Sequence, residues 1–282
     1  MFASSRVAQV QSFKHVTEID NRRDLSSRTS HLSEGIRLTK QVLAARDFWA
    51  VTLTNFFHTC RNVAHMNFAS IITEALIPRD ILPLGSWQLS AFYGLLTVVP
   101  QIVMIASTRQ IVKHGCYRLF MLSLYISIIT GLFAYMFAST HPYLVMAFML
   151  IDSIAVHSLS PLMNILFADF IDDDMVRHNR PAPLSSLIFS LNALIVKPAQ
   201  SLSPMAIVYI LNQNGYLDYQ AVKVQGYDGK TFDPLRDCMF TILCAMPVLL
   251  GVLELVVFRR YSLKDRHLSN LNSDMNKLVV AM

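Results

Sequence analysis

Six apolar stretches run through the chain, at residues 48–77, 87–107, 119–138, 143–168, 184–211 and 238–258. A bilayer core about 30 Å thick is crossed by roughly 20 helical residues, so each stretch predicts one membrane span. Stretches 87–107 and 119–138 hold no charged residue, and 238–258 holds only Glu254. The fourth is interrupted by Asp152 and His157, the fifth by Lys197, and the first by His58, Arg61, His65 and Glu74. The first is the weakest by hydropathy; it is kept as a span because its polar groups share one helical face. Pro100, Pro161, Pro198, Pro204 and Pro247 lie inside spans, where the missing backbone donor predicts kinks.

The flanks are polar. Residues 1–47 lack the apolar core of a cleavable signal peptide and read as disordered to about residue 33. A short amphipathic turn over residues 36–45 leads into the first span. Residues 212–237 form the one long loop, and 259–282 a basic tail.

Composition turns these stretches into a class. Of 282 residues, 53% are hydrophobic and 15% charged, against about 25% charged in a soluble domain. A soluble globular chain is thereby excluded, and the lipid bilayer becomes the first partner. The net charge of +5 is not spread evenly. With the N-terminus inside, cytoplasmic segments hold 18 Lys and Arg against 4 outside, a positive-inside pattern. Both termini are expected in the cytoplasm, most simply at the plasma membrane, and the basic surplus calls for no nucleic acid. The four cysteines form no CxxC pair, so neither a disulfide scaffold nor a zinc ribbon is expected.

Polar residues within spans carry the candidate chemistry. One ion at the bilayer centre costs about 2.5–3.5 kcal/mol, so Arg61 and Lys197 should face protein or water. At 100° per residue, Asn55, His58, Arg61, Asn62 and His65 fall within an arc of about 120°. Ser186, Ser190, Lys197, Gln200 and Ser201 fall within about 100°. Ser153, His157, Ser160 and Asn164 form a third stripe. Three such stripes predict walls of a hydrated path, lined by Asn55, His58, Arg61, His65, Asp152, His157, Lys197 and Gln200. Lys197 has a structural alternative, pairing with Asp152 or Glu254. Glu254, near the inner end of its span, is expected to snorkel to the interface. His58 and His65 have no carboxylate at metal spacing, so no metal or cofactor is expected. Asp172, Asp173 and Asp174 read as a solvated cytoplasmic loop. No nucleophile motif or P-loop occurs, and an enzyme is not expected.

Residues 168–216 read ADFIDDDMVRHNRPAPLSSLIFSLNALIVKPAQSLSPMAIVYILNQNGY. This resembles the tenth and eleventh helices of the glycoside-pentoside-hexuronide:cation symporter family, within the major facilitator superfamily. The family pattern A-D-x-x-D-x-D/E, a basic turn, then Ser, Phe and Lys is matched at Asp169, Asp172, Arg177, Arg180, Ser186, Phe189 and Lys197. DFWAVTLTNFFHTCRNVAHMNF is similar to its seventh helix, and STRQIVKHGCYRLF to its basic loop between helices eight and nine. The resemblance covers about residues 40–260, a C-terminal six-helix half, and is nearest an orphan branch of the superfamily. Pro181-Ala182-Pro183 stands where the family has Gly after the basic turn, and the family's cation-binding carboxylates belong to the other half.

The expectation is an all-α polytopic membrane protein: a cytoplasmic segment 1–47, six helices over 48–258, and a cytoplasmic tail 259–282. The resemblance implies one half of a major-facilitator transporter, built from two inverted three-helix repeats. It implies a secondary carrier moving a sugar-like solute with a coupling cation, proton or sodium. The missing wall would come from an N-terminal six-helix half or from self-association. The alternative is a membrane scaffold that keeps the fold without transporting.

Overall fold

The computed structural model describes residues 33–225 and 233–264; the remainder of the polar N-terminal segment, the middle of the long loop and most of the tail lie outside them. The described residues up to Ala45 belong to a unit of their own, with helix α1 over residues 33–44. That is longer than the expected turn. Every other described element is a helix: α2 (Arg46–Leu76), α3 (Trp87–His114), α4 (Cys116–Phe137), α5 (Pro142–Arg177), α6 (Ser185–Gln213), α7 (Tyr216–Gln225) and α8 (Asp233–Phe258). Five of these, α3, α4, α5, α6 and α8, are long and apolar enough to cross a membrane. The sixth predicted span, α2, is 31 residues long but more polar.

Local chemistry sets several boundaries. The Ser86 side chain caps α3 by accepting from Leu89 N–H at 3.2 Å. Gly115 turns the chain from α3 into α4 at φ 85°, a conformation glycine adopts without a Cβ clash. Pro142 starts α5, where its missing donor costs no helical bond. Two boundaries differ from expectation. The segment from Phe170 to Arg177 continues α5 rather than forming a loop, and Asp173 and Arg177 pair along it at 2.7 Å. Arg180, beyond the helix end, closes on Asp174 at 2.8 Å. The long loop contains α7, begun by Gly215 at φ 87°.

Packing arranges the helices from Arg46 onward in two layers. Helices α3, α5, α2 and α6 follow one another in a row. Helices α4 and α8 pack on each other behind it, α4 against α5 and α8 against α2. The apolar core between them includes Phe68, Ile72, Phe92, Phe148, Met149, Ile207 and Leu243. Much of the outward surface is apolar, with Ile105, Ile129, Met136, Leu194 and Leu249 each 63% exposed or more. So large an apolar exterior suits lipid.

Two glycines bring α4 and α8 close: Gly251 of α8, where an added methyl would lie 3.0 Å from Ile128 Cγ1, and more tightly Gly131 of α4. A methyl placed on Gly131 would lie 2.8 Å from Val248 Cγ2 and 3.2 Å from the Cys244 carbonyl. Gly131→Ala is expected to destabilise the bundle by about 1–3 kcal/mol through overpacking. Gly94→Ala in α3, with nothing within 4 Å of the new methyl, should be neutral or stabilising by up to about 1 kcal/mol. Thermal unfolding of the two variants in one detergent separates overpacking from helix propensity, which favours alanine at both.

Candidate functional site

The polar stripe of α2 turns inward and meets side chains from three other helices. Arg61 is 1% exposed. Its Nη2 donates to Asp152 Oδ1 of α5 at 2.6 Å and also to Ser127 Oγ of α4. One turn on, His65 Nδ1 lies 3.3 Å from the other oxygen, Asp152 Oδ2. Asp152 is thus held between a guanidinium and an imidazole. The His157 ring of α5 stands across His65 at 5.7 Å, nearly perpendicular. In the other direction His58 Nε2 is 3.2 Å from Ser160 Oγ, while its Nδ1 faces Glu254 Oε2 of α8 at 3.8 Å. Ser153 ties α5 to α3 through the Leu96 carbonyl at 2.5 Å.

This network explains how α2 tolerates its polarity. The charge of Arg61 is met by Asp152, so the bilayer cost of an isolated ion does not arise. A cavity of about 30 Å³ between α2, α6 and α8 reaches Arg61, His65 and Asp152, room for one water. A larger cavity of about 440 Å³ lies at the other end of the bundle, lined by Pro78, Thr140, Arg236 and Asp237. It contains none of the residues singled out from sequence.

The eight expected path residues therefore divide. His58, Arg61, His65 and Asp152 form the buried network, with His157 half-buried beside it. Asn55 is half-buried and donates to Asn192 Oδ1 of α6 at 3.2 Å. Lys197 and Gln200 are exposed on α6, as are Ser186, Ser190 and Ser201, so that whole stripe is a surface. The stripe of α5 runs from buried Ser153 to exposed Asn164.

Two expectations are corrected. Lys197 does not pair with Asp152 or Glu254: Arg61 already occupies Asp152, and His58 faces Glu254. Glu254 does not snorkel, being 0% exposed, and among the described residues neither carboxylate oxygen has a hydrogen-bond donor. Its position as the sole charge in an otherwise apolar span was the signal for a buried partner. Ser127 and Asn192 carried no comparable signal, since a lone Ser or Asn in a span usually bonds locally. Of the loop motif, Asp169, Asp172 and Arg177 lie on the final turns of α5, and Arg180 lies just past it.

Comparison with known proteins adds the family. The sequence model of the MFS/sugar transport protein family matches residues 10–265. Transmembrane protein 180 of Gallus gallus is 23% identical over 247 residues, covering 82% of this chain and 46% of that protein. Transmembrane protein 180 of Mus musculus is 23% identical over 251 residues, with the same coverage of 82% and 46%. The chain spans about half the length of the curated relatives it matches.

Proposed function

The chain belongs to the MFS/sugar transport protein family, and from that premise we propose that it is the C-terminal six-helix half of a secondary carrier. The cargo in this reading is a sugar-like solute moved with a cation, proton or sodium. Carriers of this kind hold their solute between two pseudo-symmetric bundles and rock one against the other. The observation that carries the reading is the polar face of α6. Five polar residues on one face of an apolar helix are all exposed, which lipid would penalise and an aqueous path would not. The buried network serves as the rigid back of that wall: it locks α2 and α5 to α4 and α8, so that the bundle moves as one body. In this reading both termini are cytoplasmic, in keeping with the positive-inside distribution of Lys and Arg, and the carrier works at the plasma membrane.

Lys197 tests this directly. It is exposed and makes no ion pair among the described residues, so Lys197→Leu should leave folding intact. In a carrier assembled with an N-terminal half, the substitution is expected to weaken solute binding tenfold or more, the loss of a charge-assisted hydrogen bond worth about 1.5–3 kcal/mol. Titration of a sugar panel against both forms checks it. Unchanged binding would reassign the α6 face to protein–protein contact, the scaffold reading.

A further inference from the structure

Beyond α8 the chain reads Arg259-Arg260-Tyr261-Ser262-Leu263-Lys264 and is strapped across the helix ends. Tyr261 and Leu263 are buried, while Arg259, Arg260, Ser262 and Lys264 are exposed. The Ser262 backbone N–H donates to Asp47 Oδ1 at 2.7 Å, and its hydroxyl donates to Oδ2 at 2.7 Å. Asp47 itself is buried in the first turn of α2. Next to it, Arg46 donates to the Arg260 carbonyl at 2.8 Å. The Tyr261 hydroxyl donates to the Leu166 carbonyl of α5 at 3.2 Å, and its ring stacks on Phe258 at 5.5 Å. Burial first, then the carboxylates of Asp169 and Asp47, hold the Tyr261 phenol above its ordinary range, so it stays a neutral donor. One short segment thereby fastens the end of α8 to the start of α2 and to α5.

We propose that Ser262 is a phosphorylation site, and that its modification releases this strap from Asp47. Two exposed arginines, three and two residues before a surface hydroxyl, present the cationic pattern that the acidic substrate groove of a basophilic protein kinase binds. In the step itself Ser262 Oγ attacks the γ-phosphorus of a nucleoside triphosphate. A new P–O bond forms as the bond to the diphosphate leaving group breaks, and the hydroxyl proton passes to the kinase base. The product carries a charge of about −1.5 to −2 where a donor had been. Asp47 then loses one hydrogen bond and faces a like charge in a buried setting. Arg46, Arg259 and Arg260 are the neighbouring cations that would take up the phosphate instead. Because Tyr261 and Leu263 are buried on either side, the kinase meets Ser262 only when the strap lifts; modification then holds it lifted. The proposal rests on the inward placement of this end in the reading above.

The full chain in lipid nanodiscs, where both faces are open, is incubated with a basophilic kinase and ATP, then mapped by mass spectrometry and hydrogen exchange. Phosphate on Ser262 is expected, with protection of the Ser262 amide falling about tenfold as its carboxylate acceptor is lost. In Asp47→Ala, which removes the acceptor oxygens, that amide should start less protected and change little further on modification. A free peptide of residues 256–264 that is modified while the intact chain is not would overturn the site. Modification with unchanged exchange would overturn the release. An antibody tag on the C-terminus reached in unpermeabilised cells would overturn the inward placement, while leaving the nanodisc result standing.

Discussion

Asp152→Ala should destabilise the bundle by about 3–5 kcal/mol, the range for breaking one side of a buried ion pair. Arg61, 1% exposed, would keep its charge and lose the acceptor at 2.6 Å. Ser127 offers it only a neutral oxygen, and its Nε and Nη1 already have no hydrogen-bond partner among the described residues. His65 would lose its carboxylate at the same time. Such a loss is comparable with a whole domain stability of about 5–15 kcal/mol, so little folded protein should survive extraction. The double variant Arg61→Leu/Asp152→Leu removes both charges together and should recover most of the loss, since apolar replacement of a buried pair is often neutral or better. Unfolding midpoints of wild type, Arg61→Leu, Asp152→Leu and the double give the coupling. Singles that each lose under about 1 kcal/mol would mean the pair does not hold the helices together.

The same residues show where sequence reading reaches and where it stops. Helices α3, α4 and α8 follow from runs of about 20 apolar residues, a property each stretch carries by itself. Helix α2 does not: its hydropathy is lowered by His58, Arg61 and His65, whose partners Ser160, Asp152 and Glu254 lie about 90 to 200 residues away. A hydropathy sum counts polar groups and cannot see what neutralises them. The helical wheel rightly put those groups on one face but left the direction of the face open. On α2 the stripe points into the bundle; on α6 a stripe of similar width points out. Only packing distinguishes the two, because α2 is covered by α5, α6 and α8 while α6 is covered mainly by α2. The pairing of Asp152 was likewise a choice between two cations that tertiary geometry resolves in favour of Arg61 over Lys197. Helix α7 escaped because ten mixed residues carry no apolar period long enough to read.

The second large effect concerns this polypeptide without a second bundle. With Arg61 internal, the exposed polar burden is the α6 face, where Lys197 alone would cost about 2.5–3.5 kcal/mol against lipid. Ser186, Ser190, Gln200 and Ser201 add exposed donors and acceptors to the same surface. In the half-carrier reading proposed above, a solute held between two walls meets only one in this polypeptide by itself, and rocking of one bundle against another has no counterpart. Reconstituted by itself in liposomes, the chain is expected to self-associate through this face or to unfold, and to show no gradient-driven sugar uptake under a proton or sodium gradient. Supplying an N-terminal six-helix half should compete with self-association, because both cover the same face. Lys197→Leu should also shift the lone chain toward monomer, since it removes the costliest exposed group. Cross-linking in the bilayer reads the oligomeric state, and labelled-sugar uptake reads the activity. A stable monomer that accumulates sugar against a gradient would overturn the half-carrier reading, for a single wall would then be enough.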